Sequence, residues 1–445
     1  MKRSILTGVT ALAAATLVLT ACSSGDGGSD STTSSGGTET SAAGEEEAAE
    51  PITISLAAWS LATTPEFQTL ADAFHEANPD ITVELKEYDA ANYDTQMIAD
   101  LAAGSAPDMY VLKNLKNFFT YQDGGQLLDV SEVELSDDVN GADAYVVDDV
   151  TYGVPYRQDA WYLYYNKDLF DAAGVEYPDG SWTWEDYDAA AVKLTEALTA
   201  AGNPAKGTYQ HSWQSTVQGF AGAQVSDADL LSGEWEYLVP YYERVLALQE
   251  AGAQVELGTI TTNSLTYQAQ FGTQQAAMMP MGSWYVATLL AQQESGDANE
   301  FNWGFAPAPQ LDDSTVELPV TFADPTGIGI NPAVDEDVAA ASIKFLEFIA
   351  SEEAATALAE IGITPAVTNE TVTTTYFGIA GIPTDDLSKF AFSTHDVRPE
   401  NPVAAETAKL QNILGEAHTA ILARTVSAEE GIKQAMDRAK SEVLG

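Results

Sequence analysis

The sequence predicts an α/β protein in which helices cover mostly parallel sheets. Strand-like and helix-like segments alternate from residue 52 onward, which is typical of parallel strands joined by helical connections. The apolar fraction of 45% is ordinary for a globular protein. About 395 residues follow residue 50, more than the roughly 250–300 at which a single core stops growing, so we expect two domains.

The first elements form a β-α-β-α-β series. Strands are predicted at 52–58, 81–85 and 107–112, and helices at 65–77 and 94–103. In the first helix apolar residues recur at helical spacing, and Thr64 and Pro65 fit the N-cap and the first helical position. Gly104 is a typical C-terminal stop for the second helix. The series indicates strands that run in parallel.

The later part of the chain continues this alternation. Further strands are predicted at 160–166, 275–280 and 328–330. Further helices are predicted from Ser283 onward and at 183–200, 338–350, 403–423 and 427–442. Thr183, followed three residues later by Asp186, resembles a capping box that starts its helix. These segments are enough for a second sheet with its own helices.

The N-terminus has the order of a secretory signal. Lys2 and Arg3 precede an apolar stretch over 5–21 that is shorter than the roughly 20 residues of a spanning helix. Residues 19–22, Leu-Thr-Ala-Cys, resemble a bacterial lipobox, which implies cleavage before Cys22 and acylation of its sulfur. Cys22 is the only cysteine, so no internal disulfide can form. We therefore expect a signal peptide at 1–21 and a lipid anchor on the extracellular face of the membrane.

The next segment and the charge of the chain limit its partners. Residues 23–50 contain no aromatic or branched aliphatic residue, so we expect a flexible, acidic linker over 22–50. The formal net charge of −49 repels nucleic acids and anionic lipids, and it argues against a phosphate or carboxylate ligand. We expect no nucleic-acid partner, contact with the membrane only through the anchor, and a neutral or cationic ligand.

Six short blocks stand in order along the chain. They are Gly-Ser-Ala-Pro-Asp at 104–108, Tyr-Gly-Val-Pro-Tyr at 152–156, LYYNKDLF at 163–170, TWEDY at 183–187, AAMMPMGSW at 276–284 and GFAPAP at 304–309. The series resembles the extracellular solute-binding proteins of carbohydrate ABC importers, the family that includes maltose-binding protein. The resemblance covers essentially all of residues 51–445. It fails at 321–327, where many relatives are rich in glycine, and at 211–213, where relatives vary widely.

The resemblance implies a two-lobed, periplasmic-binding-protein-like fold of type II with three interlobe crossovers. The crossovers are expected at 156–160, 323–327 and 365–371. The N-terminal lobe would comprise 51–158 plus 326–368, and the C-terminal lobe 159–325 plus 369–445. Ligands of such sheets bind outside the carboxyl ends of the strands, and the lobes close on them. The implied function is capture of a mono- or oligosaccharide in the cleft by a monomer that delivers it to ABC permease transmembrane subunits.

A saccharide site needs aromatic platforms for the C–H faces of the ring and polar groups for its hydroxyls. Trp59 follows the first strand, Trp213 follows a turn at Gly207, and Trp284 follows Gly282-Ser283, where the family places a stacking tryptophan. The candidate polar contacts are Asp108, Asn114, Tyr156, Asp159, His211, Asp324 and Arg398. Relatives contact ligand at the positions of Asn114 and Asp159. Core packing for Trp59, a turn cap for Asp108 and a structural ion pair for Arg398 remain open as alternatives.

Besides a structural or adhesive lipoprotein, which would not need two lobes with three crossovers, two other classes of function compete with this one. The sequence has no Gly-x-Ser-x-Gly elbow, His-Glu-x-x-His pair, Walker loop or Gly-x-Gly-x-x-Gly fingerprint, and its four histidines lack metal-ligand spacing. We therefore expect no catalytic residues, no metal and no cofactor, although chance pairs among 67 acidic residues leave a secreted glycosidase as an alternative. The other alternative is the same architecture with a polyamine or peptide in the cleft.

Overall fold

The computed structural model describes residues 51–445. The predicted signal peptide, the anchor at Cys22 and the linker up to residue 50 lie outside these residues. The described chain forms two sheets, each covered by helices, together with two small two-stranded sheets. None of the described helices has the length and apolar character needed to span a membrane.

The strands and helices follow one another along the whole described chain. The strands are β1 (Ile52–Trp59), β2 (Ile81–Tyr88), β3 (Met109–Leu112), β4 (Val146–Val147), β5 (Val150–Thr151), β6 (Val154–Gln158), β7 (Trp161–Asn166), β8 (Lys206–Thr208), β9 (Ala276–Gly282), β10 (Trp303–Pro307), β11 (Val320–Phe322), β12 (Pro325–Ile330) and β13 (Asp396–Arg398). The helices are α1 (Glu66–Ala77), α2 (Tyr93–Ala103), α3 (Leu115–Asp123), α4 (Lys167–Ala173), α5 (Trp184–Ala200), α6 (Ser215–Gln224), α7 (Val239–Glu250), α8 (Leu257–Thr262), α9 (Tyr267–Gly272), α10 (Tyr285–Ser295), α11 (Glu336–Ile349), α12 (Glu352–Glu360), α13 (Glu370–Phe377), α14 (Asp386–Ser393), α15 (Thr407–Leu422) and α16 (Ala428–Ala439).

The starts of two predicted helices illustrate how local chemistry decides a boundary. Thr183 accepts the backbone N–H of Asp186, and the Asp186 carboxylate accepts the N–H of Thr183, so the predicted capping box is confirmed. The predicted cap at Thr64 is wrong. Helix α1 begins at Glu66 with Pro65 in the cap position and no side-chain cap bond. Glu66 itself is fully buried, which no cap rule predicts.

The first sheet has the strand order β2-β1-β3-β12-β6. Strands β1, β2 and β3 are parallel neighbours, whereas β12 is antiparallel to both β3 and β6. Four of the five strands therefore run in one direction, and only β12 is reversed. The predicted series of parallel strands at the start of the chain is confirmed.

The second sheet has the strand order β10-β7-β9-β8. Strand β7 is antiparallel to β10 and to β9, and β8 is parallel to β9. Only β7 is reversed here. Strand β7 enters its sheet directly from β6 of the first sheet, and β12 enters its sheet directly from β11 of the small β11-β13 sheet. The mostly parallel prediction is thus confirmed for strand direction, and each exception begins at a predicted crossover.

Each large sheet packs its own hydrophobic core. Buried residues such as Ile54, Phe67 and Phe345 belong to the core of the first sheet. Tyr164 and Phe305 belong to the core of the second. The β7 strand is buried along its whole length, as expected for the middle of a sheet covered on both faces. The residue boundaries of the two lobes stay a prediction.

Candidate functional site

At two of the predicted stretches the chain enters a large sheet from another sheet: the second large sheet from β6 of the first, and the first large sheet from β11 of the small β11-β13 sheet. Strand β6 leads through Asp159 into β7, and β11 leads through Asp324 into β12. Near the third stretch, Pro365 forms a bridge with Arg157, and Ala366 donates its N–H to the Tyr156 carbonyl over 2.9 Å. Because β7 and β12 start at these passages, the carboxyl ends of the other strands in both sheets meet there. The cleft between the lobes is therefore lined by strand ends.

Four aromatic side chains line the second-lobe side of this cleft, and we call them the aromatic wall: His211, Trp213, Tyr267 and Trp284. His211 and Trp213 follow the carboxyl end of β8, Trp284 follows that of β9, and Tyr267 begins α9. The Trp213 ring centroid lies 5.4 Å from that of Tyr267 and 6.4 Å from that of Trp284. Trp213 remains 40% exposed, so it offers an aromatic surface to solvent.

The packing behind Trp284 fixes the position of its ring. Its edge contacts Trp161, with the ring centroids 5.6 Å apart and the planes nearly perpendicular. Its ring also lies against the backbone of Gly282, where an added Cβ would approach a ring carbon to 2.0 Å. Glycine at 282 therefore provides the space in which the indole lies. The predicted stacking position at the turn into α10 is geometrically accessible, since Trp284 is only partly buried.

The aromatic wall is electrically neutral at physiological pH. The His211 ring packs edge-to-face on Trp213 at 4.6 Å, and its Nδ1 is hydrogen-bonded to the Tyr209 hydroxyl at 2.9 Å. Burial lowers the pKa of His211 to about 4, so the imidazole carries no charge near pH 7. Burial likewise raises the pKa of Tyr267 to about 12. The wall presents apolar ring faces with a few uncharged polar atoms.

A buried charge network, which we call the hinge network, braces the first crossover. Arg157 donates through Nη1 to both carboxylate oxygens of Glu66, at 2.8 and 2.7 Å. The Arg157 Nε lies 2.8 Å from Asp159 Oδ2. Ser283, from the second lobe, donates to Asp159 Oδ1 over 2.6 Å. The Tyr156 hydroxyl completes the network by donating to Glu66 over 2.7 Å.

The hinge network engages two of the predicted ligand contacts, whose contact with a ligand stays a prediction. Tyr156 is fully buried and Asp159 is 3% exposed, and the polar groups of both already have partners within the chain. Burial raises the pKa of the Asp159 carboxyl, and the Arg157 guanidinium opposes this rise. Neither side chain faces the cleft with a free polar group. Their role in the structure is to hold the crossover between the lobes.

A second cluster surrounds the other crossover. Asp324 accepts the Leu115 N–H at 2.9 Å, so it caps α3 of the first lobe from outside that helix. It also accepts the Asn401 backbone N–H at 3.0 Å and the Asn401 Nδ2 at 2.7 Å. Both carboxylate oxygens of Asp324 thus accept hydrogen bonds at this crossover, and contact of Asp324 with a ligand stays a prediction.

Asn114 is the predicted polar contact that keeps an unused group. It immediately precedes α3, and its Oδ1 is buried without a hydrogen-bond partner among residues 51–445. An unpaired buried acceptor costs roughly 1–3 kcal/mol unless something donates to it. A hydroxyl of a bound molecule would meet that requirement. Asn114 therefore stays a candidate contact from the first lobe.

Glu400 lies beside the same cluster, and its titration gives a testable pH dependence. Burial, then the charge of Asp324, raises the pKa of Glu400 to about 7, although Lys116 and a hydrogen bond from Ser215 oppose this rise. The folded protein thus keeps a proton that the unfolded chain releases at its ordinary pKa of 4.5. The contribution of this proton to the free energy of unfolding is complete below about pH 4.5 and is lost as the pH rises through about 7.

Glu400→Gln removes this titration, so the variant should gain stability relative to the wild type as the pH rises from 5 to 7.5. Urea unfolding at both pH values measures the difference between the two proteins. A difference that is the same at both pH values would contradict the assignment. The charge of Glu400 also acts on Asp324, so the difference reports the titration of this pair, while the carboxylates elsewhere cancel in the comparison.

Three further predicted contacts lie elsewhere in the structure, and the first is Trp59. It ends β1 near the cleft, but it is 8% exposed and packs edge-to-face on Phe67 and Tyr93. The Lys113 ammonium lies 4.8 Å from the centre of its ring. Its ring is part of the first core, and a stacking role for Trp59 stays a prediction. Core packing, the alternative left open for Trp59, describes the position of its ring here.

Asp108 and Arg398 are also engaged within the fold. Asp108 lies at the amino end of β3, away from the crossovers, and accepts both the N–H and the hydroxyl of Ser55 at 2.7 Å. Arg398 forms an exposed ion pair with Asp396 and donates to the Ala223 carbonyl at 2.6 Å. Contact of either residue with a ligand stays a prediction. Asp108 is at the wrong end of its strand, and the guanidinium of Arg398 is bound to its own lobe.

Sequence reasoning missed Tyr267, Glu66 and Arg157. Tyr267 joins the aromatic wall because Thr266 accepts the Ala269 N–H and starts α9 there. Thr266 is a typical helix N-cap residue, so the start of α9 could be read from the sequence. Nothing in the sequence indicates that this helix start lies at the cleft. Glu66 and Arg157 are 91 residues apart, and only the fold brings them together.

A pair of sheets whose strand ends face each other across crossovers, with an aromatic wall on one side, defines a two-lobed binding protein. The sequence model of the bacterial extracellular solute-binding proteins matches residues 58–356, more than half of the chain. The chain belongs to this family.

Individual relatives agree with this assignment. A protein of Brucella abortus strain 2308 named as a binding protein is 28% identical over 154 residues, which is 33% of this chain and only 36% of that relative's own length. The structure of a sugar transporter from Rhizobium etli, in an open conformation, has a TM-score of 0.74 and 29% identity, and covers 88% of this chain and 99% of that one. An ABC substrate-binding protein of Listeria monocytogenes, solved with cycloalternan, has a TM-score of 0.71 at 23% identity, and covers 88% of this chain and 99% of that one.

Proposed function

We propose that the protein is the extracellular substrate-binding component of an ABC importer and that it binds a mono- or oligosaccharide in the interlobe cleft. The observation that carries this proposal is the aromatic wall. Trp213 is 40% exposed beside Trp284 and Tyr267, at strand ends where this fold class binds ligands. Large exposed aromatic surfaces at such a position are the expected partners for the C–H face of a pyranose ring.

The charges around the wall favour a neutral ligand. His211 is uncharged at neutral pH, and the carboxylates of the hinge network are already paired with Arg157. A polyamine would need exposed carboxylates next to the rings, and Asp159 is too deeply buried to serve. The Asn114 Oδ1 is unpaired, but it is buried in this structure, so a sugar hydroxyl would reach it only after the residues around it move. The side chains that face the cleft thus suit hydroxyls and C–H groups better than ammonium groups.

The relatives support the transport role. The Rhizobium etli protein is described as a sugar transporter. By analogy, the present chain would hand its ligand to the transmembrane subunits of a permease without making or breaking a bond. The lipobox-like segment ending at Cys22 would tether it as a monomer at the extracellular face. Hinge closure about the crossovers would present the loaded form to the permease.

Isothermal titration calorimetry against a panel of mono-, di- and oligosaccharides tests the proposal. We expect saturable heat with at least one sugar, and no release of reducing ends when the same sugar is incubated with the protein. Spermidine and short peptides serve as the competing ligand classes. Binding of one of these with no response to any sugar would reject the carbohydrate assignment. Sugar hydrolysis would favour an enzyme.

A further inference from the structure

The aromatic wall contains a polar atom that is accessible and has no partner, the Nε2 of His211. His211 is partly exposed, and its hydrogen bond to the protein is made by the other ring nitrogen, Nδ1. The unpaired polar atoms that the described chain buries do not include Nε2, so this atom can be reached from outside. What it can bind depends on whether it carries the proton of the imidazole ring.

The neighbouring hydrogen bonds determine the position of that proton. The His211 Nδ1 lies 2.9 Å from the Tyr209 hydroxyl, which lies 3.1 Å from the Leu265 carbonyl oxygen. A carbonyl oxygen only accepts, so the proton of the Tyr209 hydroxyl goes to Leu265, and the hydroxyl oxygen accepts from Nδ1–H. With the ring proton on Nε2, the hydroxyl would donate to Nδ1 instead. The Leu265 carbonyl, which accepts no other hydrogen bond within the described chain, would then lose its donor.

A second tyrosine–histidine pair in the same structure has the opposite arrangement. The His418 Nδ1 lies 3.1 Å from the Tyr242 hydroxyl, but the His418 Nε2 lies 3.1 Å from the Ser212 carbonyl oxygen. Because that carbonyl requires a donor, the proton of His418 is on Nε2, and its Nδ1 accepts from Tyr242. No carbonyl within residues 51–445 faces the Nε2 of His211 in this way. The two rings therefore carry their protons on different nitrogens.

We propose that His211 is a specificity-determining residue whose Nε2 accepts a hydrogen bond from a ligand hydroxyl, and that Tyr209 is the positioning residue that keeps the ring proton on Nδ1. The His211 ring lies 4.6 Å from the Trp213 ring and perpendicular to it. A sugar whose C–H face lies on Trp213 would thus bring the hydroxyls of its ring edge towards His211. The identity of the donor as a sugar hydroxyl rests on the proposed function, whereas the position of the ring proton is independent of it.

An acceptor without a proton discriminates among ligands. A hydroxyl donates to it, whereas a deoxy or O-methyl group at the same position of the sugar leaves it unpaired. A carboxylate or phosphate group at that position only accepts and finds no donor there. Burial lowers the pKa of His211 to about 4, so the ring stays neutral at pH 7 and Nε2 stays an acceptor.

Nitrogen-15 NMR spectroscopy of the full chain at pH 7 tests the position of the proton. The chain has four histidines, and His211→Leu identifies the resonances of His211 by their loss. In the free protein, Nδ1 of His211 should be protonated and Nε2 unprotonated, with His418 reversed as the internal reference. Tyr209→Phe should move the His211 proton to Nε2, because Nδ1–H would lose its acceptor. Tyr242→Phe, the matched control, should leave the His211 shifts unchanged.

Sugar probes test the specificity role. Glucose, galactose, mannose, maltose and cellobiose are titrated by calorimetry, and nitrogen-15 spectra are recorded with each sugar that binds. We expect binding to shift the Nε2 resonance of His211 and to leave Nδ1 protonated. His211→Leu should weaken the affinity about tenfold, and Tyr209→Phe about threefold or more, whereas Tyr242→Phe should not change it. His211→Gln should recover part of the loss, because its amide oxygen can also accept from a hydroxyl.

Three results would overturn the proposal: a proton on Nε2 in the free wild-type protein, a bound sugar that leaves the Nε2 shift unchanged, or wild-type affinity in His211→Leu. Absence of binding with every sugar would reject the carbohydrate assignment, and with it the hydroxyl as the donor. The spectrum of the free protein would still confirm or reject Tyr209 as the residue that positions the proton. Circular dichroism verifies that each variant is folded.

Discussion

Trp284→Ala and Trp213→Ala are each expected to weaken sugar binding by about thirtyfold, or roughly 2 kcal/mol. Truncating either indole removes one of the two largest surfaces of the aromatic wall and leaves the polar contacts of the ligand in place. Trp284 should show the larger loss, because its ring is held in position by Trp161 and the backbone of Gly282. Trp213 is more exposed and retains more freedom before binding.

Tyr177→Ala is the matched control for the loss of an exposed aromatic side chain. Tyr177 is 38% exposed, close to the 40% of Trp213, but it packs beside Phe170, away from the wall. Its removal should leave the dissociation constant unchanged. Calorimetry measures all three variants with the same sugar. Wild-type affinity in both tryptophan variants would show that the wall is not the binding surface.

Arg157→Met is expected to destabilise the protein by about 3–5 kcal/mol. The substitution keeps most of the side-chain volume but leaves the carboxylates of Glu66 and Asp159 buried without their cation. Breaking a buried ion pair from one side is costly because the remaining charge cannot be solvated. The free energy of unfolding, measured in urea at pH 7, gives the loss directly.

Arg438→Met provides the comparison for the hinge network. Arg438 also pairs with two carboxylates, those of Glu416 and Glu442, at 2.6 and 2.8 Å. These groups are exposed, where ion pairs contribute little, so only a small fraction of the Arg157→Met effect is expected. Equal losses in the two variants would mean that burial does not set the strength of the hinge network.

The order of the elements could be read from the sequence because local signals determine it. The capping box at Thr183 and the glycine stop at Gly104 correctly place helix ends. Strand order could not be read in the same way. The position of β12 between β3 and β6 depends on pairing across more than 160 residues, and no local pattern encodes such a pairing.

The sequence indicated the aromatic residues that follow strand ends. It did not indicate the charged residues that pair across long distances in the chain. Trp213, His211 and Trp284 meet because β8 and β9 end side by side. Asp159 and Asp324 follow the predicted crossovers, but their carboxylates bind Ser283 and Asn401 within the fold. A polar residue at the correct place in the chain does not reveal whether its hydrogen bonds are already made.

The aromatic wall belongs entirely to the predicted second lobe, and from this asymmetry we expect an order of events in binding. A ligand would bind to the preformed aromatic wall before the first lobe moves, so the first contact would require no rearrangement. If the lobes close on the ligand as proposed, the first lobe would cover it after binding and would set the dissociation rate. The association rate of the ligand would therefore depend on the aromatic wall, and its dissociation rate on the hinge between the lobes.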